Sequence, residues 1–146
     1  LTMLVLNNNN MTGTVPKLTN TRVAYLFLQG NHFTGPIPEL TVSGTFSGIN
    51  LSDNQFTGSV EHLAHLRTFA RDSAVLLANN SLSGEFYLPL SILSDVEHID
   101  ISHNKFTTLS PWWANVTLRA DCNASNNPWR CPIPDWFKNT CKATCI

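Results

Sequence analysis

The chain has 146 residues, 13% of them charged, with a formal net charge of −1 and no run of lysine or arginine. That length suits a single domain with its own core, and the charge balance excludes a basic groove for nucleic acid. No methionine start, signal peptide or run of 18 apolar residues is present, which says nothing about the full-length product.

Read from the N-terminus, the chain repeats itself. Asparagine recurs at Asn9, Asn31, Asn54, Asn80, Asn104 and Asn127, at intervals of 22, 23, 26, 24 and 23 residues. Superposing LTMLVLNNNNMTGTVP on VAYLFLQGNHFTGPIP gives LxxLxLxxNxxTGxxP, and FSGINLSDNQFTGSV keeps most of it. Self-similarity at this period predicts a solenoid, with units near 1–22, 23–45, 46–68, 72–95, 96–118 and 119–134. Within each unit the apolar residues alternate as a half-buried strand requires. The inward pairs are Leu4/Leu6, Leu26/Leu28, Ile49/Leu51, Val75/Leu77, Ile99/Ile101 and Cys122/Ala124. After each strand the chain must turn and leave backbone groups without ladder partners. A side-chain amide both donates and accepts, so the six asparagines are expected to stack and satisfy those groups from coil to coil. A second apolar column, Met11, Phe33, Phe56, Leu82, Phe106 and Trp129, fills the far side of the turn. Gly13, Gly35, Gly58 and Gly84 follow it, where a β-carbon would obstruct the chain.

Unit four departs from the pattern. Residues 61–74, EHLAHLRTFARDSA, place Leu63, Leu66, Phe69 and Ala70 at helical spacing, with Glu61 near the positive end of the helix dipole. A helix on the convex side is therefore expected, and it would account for the 26-residue interval. Residues 85–95 show a similar shift, with Pro89 displaced.

At the C-terminus, Cys122, Cys131, Cys141 and Cys145 fall within the last 25 residues. Their spacing does not match a zinc-binding CxxC pair, so disulfides in an oxidising compartment are expected, with three pairings possible. They would seal the open end of the last coil.

TGTVP at 12–16 and TGPIP at 34–38 resemble the LxGxIP signature of plant-type extracellular leucine-rich repeats. The resemblance covers residues 1–134, weakening where Thr108 and Cys131 replace the expected glycines. It implies a leucine-rich repeat arc of α/β type, with about six coils and a parallel sheet on the concave face. CNASNNPWRCPIPDWFKNTCKATC, within the segment 119–146, looks like the cysteine caps of plant receptors and protist surface proteins. Resemblance to the receptor cap suggests Cys131–Cys141, which leaves Cys122–Cys145. Leu1 begins a repeat with no polar cap before it, so the chain reads as a fragment of a longer protein.

Function is expected on the concave strands, where alternation turns every second residue outward. The outward residues include Asn7, Asn8, Ser52, Ala78, Asn79, Ser102, Asn123, Ser125 and Asn126. The candidate ligand-binding residues are Met3, Val5, Tyr25, Phe27, Gln29, Asn50, Asp53, Leu76, His98, Asp100, His103 and Asp121. Met3, Val5, Tyr25 and Phe27 form an apolar and aromatic cluster of the kind that marks an interface. His98, Asp100 and His103 point one way but lack a fourth ligand, and His62 and His65 are one helical turn apart on a surface; neither is read as a metal site. No nucleophile elbow, phosphate loop or paired-carboxylate motif appears, so no enzyme and no cofactor is expected.

Five glycosylation sequons occur, at Asn10, Asn50, Asn79, Asn115 and Asn123, where chance in so asparagine-rich a chain yields about three. Asn10 and Asn115 are the better candidates, because glycans on concave positions would obstruct binding. The chain is therefore expected to be the recognition ectodomain of a cell-surface receptor or surface protein, binding a protein, peptide or glycan. A membrane would be reached only through segments outside this chain. The alternatives are a secreted inhibitor of an extracellular enzyme and an adhesive surface coat protein.

Overall fold

The computed structural model describes residues 1–146 except 43, 67, 90–92 and 114–117. Coil one supplies β1 (Met3–Val5), β2 (Thr12–Thr14) and β3 (Leu18–Thr21), and coil two β4 (Tyr25–Phe27), β5 (His32–Gly35) and β6 (Leu40–Val42). Coil three gives β7 (Phe46–Asn50) and β8 (Gln55–Gly58), and coil four β9 (Phe69–Leu76) and β10 (Ser81–Phe86). Coil five contributes β11 (Val96–Asp100) and β12 (Lys105–Leu109). The last coil has β13 (Asp121–Asn123) and then the helix α1 (Asp135–Cys141).

The first strand of every coil joins one sheet, in the order β1-β4-β7-β9-β11-β13. The strands after the turns form a second sheet, β12-β10-β8-β5-β2, and β3 pairs with β6. All these pairings are parallel, each coil lying on the next for about five turns closed by a sixth strand. The core lies between the sheets. Leu26, Leu28, Ile49, Leu51, Val75, Leu77, Ile99 and Ile101 enter it from the concave side, while Phe33, Phe56, Leu82, Phe106 and Trp129 enter from the turns. Phe33 stacks on Phe56 at 6.2 Å between ring centroids, and Phe106 on Trp129 at 6.2 Å. Met11 and Met3 of the first coil are exposed.

The asparagines hold the turns. Asn104 Nδ2 donates to Leu77 O at 2.9 Å in the previous coil and to Ile101 O and Ser102 O in its own, while its Oδ1 accepts from Leu82 N at 3.0 Å. Asn31, Asn54, Asn80 and Asn127 repeat the arrangement, each reaching one coil back. Asn9 is exposed and donates only within its own coil, to Leu6 O and Asn7 O. Two residues past Met11, Phe33, Phe56 and Leu82, the backbone takes a positive φ at Gly13, Gly35, Gly58 and Gly84. At Gly35, φ is +75°, and an added Cβ would lie 2.8 Å from Thr14 Cγ2, so the coil below excludes any side chain there.

The helix expected over 61–74 is not formed. Glu61–His65 makes one short 3-10 helix, Leu66 is already extended at ψ 115°, and Phe69 opens the eight-residue strand β9. Leu63, Leu66 and Phe69 are all buried, and their three-residue pitch suits a 3-10 turn leading into a strand as well as an α-helix. What decides the outcome is Phe69, which packs edge-on against Phe46 of β7 at 5.5 Å. The long interval is taken up within the sheet. Phe46 pairs with Phe69 and Gly48 with Ala74, a step of two residues against five, so three extra residues bulge out of β9. Asp72, in that bulge, has a left-handed φ of 63°.

The cysteine pairing also differs from expectation. The bonds are Cys122–Cys141 and Cys131–Cys145, not Cys131–Cys141 and Cys122–Cys145. Helix α1 returns the chain beneath the last strand, where Ala124 N donates to Cys141 O at 2.6 Å and the Cys122 and Cys141 Cα atoms stand 4.5 Å apart. Lys142 then turns left-handed at φ 55°, and the tail lays Cys145 beside Trp129, within reach of Cys131. The two loops interleave rather than nest. Phe137 and Trp129 pack at 5.3 Å under this cover, so α1 closes the apolar end of the solenoid.

The concave sheet as candidate ligand site

Parallel register sorts the outward residues into columns. One runs Met3, Tyr25, Gly48, Ala74, His98, Asp121; the next runs Val5, Phe27, Asn50, Leu76, Asp100, Asn123. Tyr25 and Phe27 face each other with ring centroids 5.9 Å apart and interplanar angle 55°. Met3 and Val5, beside them, are each about half exposed, at 49% and 48%. The pair leans over Gly48, where an added Cβ would meet the Phe27 ring at 3.8 Å. Gln29 continues this surface with its Oε1 buried and lacking a hydrogen-bond partner.

In the C-terminal half, a recess of about 350 Å³ is lined by Ala74, Leu76, His98, Asp100, Asp121 and Asn123. His98 Nδ1 stands 4.0 Å from Asp121 Oδ2, and Nε2 is 3.8 Å from Glu97 Oε2. Asp100 does not join His98 and His103. Its Oδ1 accepts from Ser102 N at 3.0 Å and Ser102 Oγ at 2.7 Å, while His103 Nε2 meets Asn126 Nδ2 at 3.0 Å. Among the described residues no three histidine, cysteine or acidic side chains converge as a metal site.

Two sets of residues carry a structural duty that the outward reading missed. Asn50 Oδ1 accepts from Ser52 N, and Asn123 Oδ1 from Ser125 N and Oγ, as Asp100 does from Ser102. These are Asx-turns closing the strands, and their signal was available as Asn-Leu-Ser, Asp-Ile-Ser and Asn-Ala-Ser. The sequons at Asn50 and Asn123 therefore have a turn-making cause of their own. Further on, Asn8, Gly30, Asp53, Asn79, His103 and Asn126 all have φ between 53° and 69°. Asparagine, aspartate and glycine tolerate that conformation, and Asn79 Nδ2 also donates to Asp53 Oδ1 at 2.7 Å. Ala78 and Ser102, expected to face outward, are buried because the chain is already entering this turn. Asn10 is exposed beside β2, and Asn115 lies outside the described residues.

A second recess, of about 260 Å³, lies off the concave face between Pro111, Arg130, Pro132 and Pro134. Among the described residues no helix is long and apolar enough to cross a membrane.

The stacked parallel coils, the asparagine turns and the single concave sheet converge with a family comparison. A leucine-rich repeat model matches residues 95–116, which is coil five. The fold is a leucine-rich repeat solenoid. A search of the curated proteins found no match. Among solved structures, the chain is similar to the plant peptide hormone receptor RGFR1 in complex with RGF2, at 21% identity and a TM-score of 0.66. It is also similar to a plant ice-binding protein, at 26% identity and TM-score 0.57. A third is the leucine-rich repeat ectodomain of GASSHO1/SCHENGEN3 from Arabidopsis thaliana in complex with CASPARIAN STRIP INTEGRITY FACTOR 2, at 23% and 0.57. These matches cover 96%, 92% and 97% of this chain but only 26%, 51% and 23% of the other chains, so this solenoid spans a quarter to a half of their length.

Proposed function

We propose that this solenoid is a non-catalytic recognition module which binds a peptide or protein on its concave sheet. The observation that carries the reading is the aromatic pair Tyr25 and Phe27, turned out of the core on a rigid parallel sheet beside Met3 and Val5. Rigid aromatic anchors lose little conformational entropy on binding, and they concentrate binding energy. Two structural neighbours are plant leucine-rich repeat receptors solved with their ligands, which supports a peptide or protein as the partner class. The two disulfides, together with those neighbours, support an extracellular or cell-surface setting. The TGTVP and TGPIP segments and the cysteine cap favour the plant-type receptor and surface-protein class within the repeat proteins.

Panning a phage-displayed peptide library on the protein tests this, with Tyr25→Ser/Phe27→Ser as counter-target. Truncating these two outward anchors should weaken the enriched peptides by about 2 kcal/mol, roughly thirtyfold, while the melting temperature is unchanged. Enriched peptides that bind both proteins equally would overturn the reading.

A further inference from the structure

We infer that the concave sheet reads an extended peptide carrying a large apolar or aromatic side chain and a basic side chain about four residues apart. The first seats on Tyr25 and Phe27, the second on Asp100 and Asp121. This rests on the recognition function proposed above and narrows its ligand.

Charge is segregated on this face. The outward positions from coil one to coil six carry Asp53, Asp100 and Asp121, with no lysine or arginine among the described residues, although the whole chain is nearly neutral at −1. At the edge where the strands begin, Arg71 and Arg119 stand among Asp72, Asp95 and Glu97, so that margin adds no positive excess. A cationic partner is therefore favoured along the sheet and an anionic one repelled. The recess suits a long basic side chain in particular. Ala74 and Leu76 of β9 offer an apolar surface for its methylenes, and Asp100 on the next strand and Asp121 on the strand beyond supply carboxylates for its charged head. Asp100 is held in place through Oδ1 by Ser102, which leaves its other oxygen to receive a donor. Asp121 is 86% exposed.

The middle of the sheet is low. Between Tyr25 and His98 the same column carries only Gly48 and Ala74, a trough in which a peptide backbone can cross the strands. Three coils separate the aromatic pair from His98 and Asp100. At about 4.8 Å per strand that is roughly 14 Å, which an extended chain covers in about four residues.

The test uses tagged synthetic nonapeptides on a Gly/Ser/Thr framework, read by fluorescence anisotropy. One carries tryptophan and arginine four residues apart, one has them adjacent, one has glutamate for arginine, and one has alanine for tryptophan. The protein is compared with Asp100→Asn, Asp121→Asn and Tyr25→Ser/Phe27→Ser. Asparagine at position 100 keeps the Asx-turn, as Asn50 and Asn123 do in their own coils. The first peptide should bind tightest, and should lose about tenfold with glutamate for arginine or with either asparagine variant, less so at high salt. If the arginine and glutamate peptides bind equally, and both need Tyr25 and Phe27, the charge reading is overturned while the concave-site reading stands. If no peptide discriminates the Tyr25→Ser/Phe27→Ser protein from the parent, both are overturned.

Discussion

A single asparagine per coil does the work that a longer loop would otherwise need. Asn104 satisfies three carbonyls and one N–H in a place where water does not reach, so removing it leaves buried groups unpaired. Asn104→Ala should cost about 1–3 kcal/mol, read as a lower denaturant midpoint at unchanged slope. Asn9→Ala should lie near the parent, because Asn9 is exposed and bonds only its own coil. Equal losses at the two positions would contradict the coil-to-coil account. The column was legible in the sequence because the same turn recurs, but the expected stacking holds for Asn31, Asn54, Asn80, Asn104 and Asn127 and not for Asn9, which bonds only its own coil. The Asx-turns at Asn50, Asp100 and Asn123 were equally available, yet outward alternation and sequon matching claimed those residues first. Position alone does not separate a side chain that faces a ligand from one that folds back onto its own strand.

At the scale of elements, the strands were readable and the bulge was not. Period-two alternation identifies β4, β7, β11 and β13 around the buried residues Leu26, Ile49, Ile99 and Cys122, while in β1 the inward Leu4 is only half-buried. In coil four the buried residues Leu63, Leu66 and Phe69 satisfy two periods at once, and the strand is favoured by pairing with the neighbouring coils, including the contact of Phe69 with Phe46. A local pattern cannot express a contact with a neighbouring coil. The bulge account has a direct test. Deleting residues 70–72 restores a 23-residue pitch and removes only exposed or half-buried side chains, so the protein should still fold, with a melting temperature within a few degrees of the parent. Hydrogen exchange should then show β9 protected like β7. Loss of the folded state would mean that those residues hold β9 to β11.

For the whole molecule, stability depends on how the ends are closed, because each coil touches only its neighbours. The cap does this with α1 and two interleaved bonds. Cys122–Cys141 is buried, whereas Cys131 is exposed, so mild reductant should open Cys131–Cys145 first and leave Cys122–Cys141 intact until the last coil unfolds. Alkylation and mass spectrometry of partly reduced protein would detect the order, and simultaneous loss of both would count against the closed cap. The pairing itself was beyond the sequence: it follows from the length of α1 and the left-handed turn at Lys142, neither of which spacing reveals.

The clustering of indoles at one end has an optical consequence. All four tryptophans, Trp112, Trp113, Trp129 and Trp136, lie in the last two coils and the cap, with Trp113 and Trp129 fully enclosed. Intrinsic emission is thus a lamp fixed at the C-terminal end, blind to coils one to three, while far-ultraviolet circular dichroism sees every strand. If heating frays the molecule from its first coil, the dichroism will fall while the emission holds. If the coils melt as one, the two curves will superpose, and the solenoid will have behaved as a single cooperative body.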